Sequence, residues 1–179
     1  MKRFVHSILL PTIFLLSFFS SQGQSVSTYY PKVDKISHDN IHIMQVTVEQ
    51  NQVYVVFRYN IEGKDQVSMS SNTTLQCGSF ISSIKKFGVL SDSTIQHVLP
   101  FNEWFDCSYS KNMKYASKPF TYLDDKGEEK ISRSFDFFLV FSGKLPEYAQ
   151  TITINENVGE RSFKWEGIHI NNFRTEEEW

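Results

Sequence analysis

The sequence predicts an all-β protein built as a single antiparallel β-sandwich, and three observations predict it. Apolar residues recur at every second position in several short runs, the period of a strand with one buried face. Gly, Asn, Asp and Ser clusters separate those runs, and no stretch of useful length carries a helical period. Finally, 16 of the 179 residues are Phe, an aromatic surplus suited to filling the space between packed sheets.

The overall composition is ordinary for a globular chain, with 40% hydrophobic and 21% charged residues. That excludes disordered, collagenous and low-complexity classes. A formal net charge of −2 argues against a nucleic-acid partner, which would call for a basic excess or stripe. No internal repeat and no linker-like stretch is present, so one domain is expected.

The chain opens with a basic Met1-Lys2-Arg3, followed by an apolar run over residues 4–19 broken only by His6, Pro11 and small hydroxyl residues. Small residues then stand at Ser21 and Gly23, where a signal peptidase reads the −3 and −1 positions. Residues 1–23 are therefore read as a secretory signal peptide, and residues 24–179 as the mature domain beginning with Gln24. A membrane span needs about 20 apolar residues, more than this run supplies. No cysteine lies near the cleavage site to carry a lipid, and no later segment is apolar enough to cross a membrane. The expected location is secreted or periplasmic, within the cell envelope or beyond it.

The mature part reads as strands in sequence. Residues 25–35 form an arm, ordered or loose. In 41–48 the apolar alternation switches parity between Ile43 and Met44, as a β-bulge would require. Residues 49–52 are short enough for a hairpin loop into 53–59, where Val53, Val55, Phe57 and Tyr59 share one face. Residues 80–87 and 94–99 are weaker strands. The run 134–141 is the strongest: Phe135, Phe137, Leu139 and Phe141 face one way, and Phe138 with Val140 make its other face partly apolar, as in a central strand. Residues 151–155 and 163–170 close the series, with turns at Asp125-Lys126-Gly127 and Val158-Gly159-Glu160. The last residues, 175–179, suggest a frayed or short helical end. Seven or eight strands in about 150 residues favour a sandwich, immunoglobulin-like or related, with a closed barrel as the alternative.

Only two cysteines exist, Cys77 and Cys107. In an exported chain two thiols read as one disulfide, and closing a loop of about 30 residues would contribute roughly 3–4 kcal/mol. Two buried thiols or a redox pair are the alternatives. A metal site has little support, since no His lies near either cysteine in sequence.

The pattern Phe137-x-Leu139-x-Phe141, Leu145-Pro146, Ile152-x-Ile154-x-Glu156 and Phe163-x-Trp165-x-Gly167-Ile168-x-Ile170 resembles a motif of exported β-sandwich domains in Bacteroidetes bacteria. The Gln-Gly-Gln-Ser ending of the leader is also typical of that phylum. The resemblance covers about the last 45 residues and implies fold and provenance rather than catalysis. Its residues are chiefly core and turn positions, and the family's own function is mostly unassigned. Cys77 and Cys107 are not part of the motif.

Candidate chemical features are few. Asp124-Asp125-Lys126-Gly127-Glu128-Glu129 gathers carboxylates but lacks the alternating oxygen ligands of a calcium loop, and reads as a solvated turn. Glu103 and Asp106 flank Trp104 and would be a carboxylate pair beside a sugar-stacking ring only if the fold set them across a cleft. His38, His42, His97 and His169 are isolated. No zinc-protease, nucleophile-elbow or phosphate-loop motif is present. No catalytic residue, metal ligand or cofactor is thus assigned.

Tyr29, Tyr30, Trp104, Tyr109, Tyr115, Tyr122 and Trp165 include candidates for an exposed aromatic platform, with core packing as the competing role. The loop candidates are Tyr109, Lys111, Tyr115 and Tyr122, tethered by Cys107, because loops carry function on rigid scaffolds. Asn72-Thr73-Thr74 is an N-glycosylation triplet, idle in a bacterial source, and Asp92-Ser93-Thr94 resembles a Bacteroidetes O-glycosylation acceptor. The expected function is a non-catalytic exported module binding a protein, peptide or glycan. A small secreted enzyme or enzyme inhibitor is the alternative.

Overall fold

A computed structural model describes residues 25–61, 68–91, 95–99, 104–106, 120–123, 126–158 and 162–171. Within them the chain forms only β-strands: β1 (Ser25–Tyr29), β2 (Val33–Ile36), β3 (Ile41–Glu49), β4 (Gln52–Ile61), β5 (Ser68–Ser70), β6 (Thr74–Cys77), β7 (Phe80–Ser91), β8 (Ile95–Val98), β9 (Trp104–Asp106), β10 (Phe120–Leu123), β11 (Glu129–Ser142), β12 (Thr151–Asn155) and β13 (Lys164–His169). Eleven of them make one sheet along the path β1-β3-β4-β11-β7-β6-β12-β13-β2, with β10 added to β11 and β8 to β7, while β5 and β9 pair separately. Every pairing is antiparallel.

The alternation seen in the sequence sets the register. On β4, Val53, Val55, Phe57 and Tyr59 are at most 1% exposed. They lie opposite Phe141, Leu139, Phe137 and Phe135 of β11, which is held between β4 and β7 and is therefore interior to the sheet. The parity slip in β3 is a register shift between Ile43 and Gln45, so Ile41, Ile43, Val46 and Val48 all reach the core. Glu49 pairs with Gln52, leaving Gln50 and Asn51 as the hairpin tip.

One strand makes the sheet curl. The first four residues of β7 pair with β6, and the stretch from Ile84 to Leu90 pairs with β11. An irregularity opposite Val140 and Phe141 leaves Lys85 and Lys86 both exposed, as an extra residue in the strand requires. The path then turns back on itself until its two end strands, β1 and β2, are joined through residues 30–32 alone. Trp165 of β13 thereby meets Phe57 of β4, with ring centroids 5.0 Å apart, and its indole Nε1–H donates to the Ile41 carbonyl at 3.3 Å. Phe57 in turn stacks on Phe137 at 5.0 Å.

The outer side of the sheet centre carries a second, smaller apolar cluster of Val56, Leu90, Phe138 and Val140. Phe138 lies over Gly88, where a Cβ would stand only 2.5 Å from its ring and from the His97 carbonyl oxygen. Beside it Tyr54 packs at 5.1 Å, and burial pushes its phenol up to about 12. Asp136, nearly buried on the same side, accepts from Arg58 Nε at 2.7 Å and Nη2 at 2.8 Å. That two-bond geometry satisfies a carboxylate that would otherwise be costly to bury.

The strands that escaped the sequence reading are the short ones, β5, β6, β9 and β10, and the arm at 25–35, which is ordered as β1 and β2. Trp165 is 1% exposed, so it belongs to the core and not to a surface platform. Replacing Phe137 by Ala is expected to cost about 3–5 kcal/mol through lost transfer energy and a residual cavity. Tyr148 is 73% exposed, and its replacement by Ala should stay within about 0.5 kcal/mol. Urea unfolding of both variants checks this; equal costs would show that the Phe57–Phe137 stack is not central.

Candidate functional site

The C-terminal motif places two kinds of side chain on β12 and β13. Ile152, Ile154, Trp165 and Ile168 point into the core, all at most 1% exposed. Trp165 and Ile168 are three apart and share a side because β13 carries a bulge, with the register shifting between Ile152 and Ile154 on its partner. Gly167 sits at that bulge with φ of +62°, a conformation that favours glycine, and Asp34 Oδ2 lies 2.3 Å from where a Cβ would be. The motif's glycine is thus required twice, by backbone angle and by the close approach of β2.

Glu156, the acidic residue of the motif, is 2% exposed. Its Oε1 accepts the Ser70 N–H at 2.7 Å and its Oε2 the Phe163 N–H at 2.9 Å. Ser70 heads a tight turn in which its carbonyl accepts the Thr73 N–H and hydroxyl and its own hydroxyl accepts the Asn72 N–H. One carboxylate therefore ties the β12–β13 connection to the β5–β6 turn.

With Trp165 turned inward, its neighbours Lys164 and Glu166 turn outward, and with Lys35 they line an open groove of about 500 Å³. Ser37, Asn155, Asn157 and Ser162 complete its wall. These side chains hold one another. Ser37 Oγ accepts the Lys164 N–H at 2.8 Å. Asn155 Nδ2 donates to Asn157 Oδ1 at 2.7 Å, and Asn157 Nδ2 donates to Thr74 Oγ1 at 2.8 Å. Asn157 itself has φ of +55°, a left-handed conformation in which Asn is among the better-tolerated residues. Lys164 pairs with Glu166 at 2.5 Å, and that ammonium, with Lys35 beyond it, holds the Glu166 carboxyl below its usual range.

Comparison with family models, curated proteins and solved structures finds no match. The chemistry of the site must therefore be read from its own residues. The groove offers amide and hydroxyl groups, two ammonium groups and one carboxylate, all suited to hydrogen-bonding a polar ligand. Among the described residues no three His, Cys, Asp or Glu side chains come together as a metal site.

The residues singled out from the sequence are scattered. His38 packs on Phe163 with centroids 4.5 Å apart, His97 bonds Ser91, and His169 bonds Asp34, whose carboxyl is held low by Lys32 and His169. His42 is exposed on β3, opposite Arg58. Cys77, buried at the end of β6, forms no disulfide among the described residues, and burial pushes its thiol up. Cys107, Tyr109, Lys111 and Tyr115 lie outside the described residues, as do Glu103, Asp124, Asp125 and Ser93. Tyr122 is placed on β10, its backbone opposite Lys130. Asn72 is exposed in the turn held by Ser70. The groove was missed by sequence reading; the only hint was the outward parity of Lys164 and Glu166 around Trp165.

Glu156→Gln keeps size but places an NH₂ against one of the two backbone donors. It is expected to destabilise the fold by about 1–3 kcal/mol, the cost of a buried donor left unpaired. A urea midpoint unchanged from the parent protein would remove Glu156 from this structural role.

Proposed function

We propose that this chain is an exported, non-catalytic binding module and that it takes a polar ligand in the groove between β2, β12 and β13. The observation that carries this reading is the cross-bonding of the groove wall. Asn155, Asn157 and Ser37 are fixed by one another and by backbone groups, so a ligand would meet donors and acceptors already in place. Preorganisation of this kind lowers the entropy cost of binding. The segment with Tyr109, Lys111 and Tyr115, together with Tyr122, is the second candidate for binding a protein, peptide or glycan.

Export rests on the basic, apolar and small-residue order of residues 1–23, and it agrees with the likeness of the C-terminal motif to exported Bacteroidetes domains. In an oxidising compartment Cys77 and Cys107 form one disulfide. The architecture is taken as a sandwich whose layers are the two limbs of the curled sheet, a reading supported by the Trp165–Phe57 contact. A closed barrel fits that contact equally, since β1 and β2 are neighbours in the chain.

An enzymatic reading has one observation in its favour. Ser37 Oγ lies 2.9 Å from His38 Nδ1, a nucleophile beside a base at the rim of the groove. That same Oγ is committed to the Lys164 N–H, which fixes the end of β2 against β13 and makes the pair structural.

Two measurements test the proposal. Intact mass of secreted protein should correspond to a chain starting at Gln24 and about 2 Da lighter than its reduced form; a retained Met1 or two thiols reactive in the native state would refute export or the disulfide. Amide NMR spectra recorded against a panel of oligosaccharides and short peptides should show shifts concentrated on Asn155, Lys164 and Glu166. Shifts confined to other surfaces, or none across the panel, would defeat the groove as a binding site.

A further inference from the structure

Resting on the reading of the groove as a binding site, we infer that its ligand is an acidic saccharide whose carboxylate is received by Lys35. The groove wall decides the class. Its seven lining residues contain no hydrocarbon side chain to receive an apolar group, so the apolar side chains of a bound peptide would find no pocket. A lone phosphate or sulfate would leave most of about 500 Å³ unfilled. A sugar matches better, because each hydroxyl both donates and accepts, and the groups that remain available here include both donors and acceptors.

Those remaining groups follow from the bonds already made. An Asn amide has two N–H donors and an oxygen with two lone pairs. Asn155 uses one N–H on Asn157, leaving the second for a ligand. Its oxygen accepts only a long bond from the Asn157 N–H at 3.3 Å. Glu166 engages Lys164 through Oε1, which leaves Oε2 to accept from a hydroxyl. The two lysines differ in the same way. Lys164 is neutralised by Glu166 at 2.5 Å, whereas Lys35 has no hydrogen bond or ion pair to a described residue. Among the described residues the groove wall thus carries a net charge of +1, two ammonium groups acting on the single Glu166 carboxylate, beside a set of neutral hydrogen-bonding groups. A ligand with hydroxyls and one carboxylate complements both.

Calorimetric titration of the purified protein with tetragalacturonate and with maltotetraose tests the inference. The acidic tetrasaccharide should bind at least roughly tenfold more tightly, the worth of one charge-assisted hydrogen bond. That preference should shrink as salt is raised. Lys35→Gln should abolish the preference while leaving the melting temperature unchanged, since Lys35 is exposed. Equal binding of the two saccharides, or a preference that survives Lys35→Gln, overturns the acidic assignment and leaves the groove as a site. Absence of binding by either saccharide overturns the saccharide class. The amide-shift panel then shows separately whether the groove binds anything.

Discussion

The contact on which the rest of the structure depends is Trp165 against Phe57. It joins strands from the two limbs of a curled sheet, and Phe57 passes the contact on to Phe137 in the middle strand. Phe163 extends the same stack, lying 6.0 Å from Trp165 with rings 14° from parallel. Burial of these rings stabilises the curl directly, because flattening the sheet would return their surfaces to water. The indole N–H finds the Ile41 carbonyl, so the largest side chain of the core is buried without an unpaired donor. Strand alternation does the remainder: a residue that must point inward at 165 forces Lys164 and Glu166 outward, and those two open the groove.

Among the described residues two carboxylates are buried, Asp136 and Glu156, and both oxygens of each are hydrogen-bonded. Asp136 is matched by the Nε–H and Nη2–H of one guanidinium, and Glu156 by two backbone N–H groups far apart in the chain, the Ser70 bond spanning 86 residues. These two carboxylates work differently. Asp136 sits within a strand, where Arg58 is its cross-strand neighbour, so the pair reinforces a register that Phe137 and Phe57 already specify. Glu156 sits after a strand and orders two connections that have few apolar residues of their own. Removing it would leave those backbone donors without an acceptor, which explains why an acid stands where the Ile152, Ile154 alternation would place another aliphatic residue.

How much was legible in the sequence depended on strand length and on side-chain contrast. The alternating runs 41–48, 53–59 and 134–141 identified β3, β4 and β11 and their core faces, and even the bulge near Met44 left its mark as a parity slip. Strands of three or four residues such as β5, β6 and β9 cannot show a period, and their membership comes from partners remote in sequence. β1, Ser25-Val26-Ser27-Thr28-Tyr29, is hydroxyl-rich and only half-buried, so its pattern resembles a polar tail until β3 is placed beside it. The groove was illegible for the same reason: Ser37 and Lys164 meet across 127 residues, and nothing local announces the pairing.

The bulge at Gly167 links the motif to the site. Without the extra residue, Trp165 and Ile168 would point to opposite faces, and one of them would leave the core. Accommodating it requires a left-handed backbone angle and leaves an open place where a side chain would otherwise stand, which the Asp34 carboxylate occupies. Asp34 also accepts from His169 Nε2 and pairs with Lys32, each at 3.0 Å, so β2 is held along β13 by more than its ladder bonds. Among the described residues β2 is the last strand of the sheet and pairs only with β13. Its position, and therefore that of Lys35 on the groove, follows from the bulge. A sequence feature that first reads as core patterning thus fixes where an exposed ammonium stands. The core residues and the groove-lining residues alternate along one strand, so β13 packs the core with one face and lines the groove with the other.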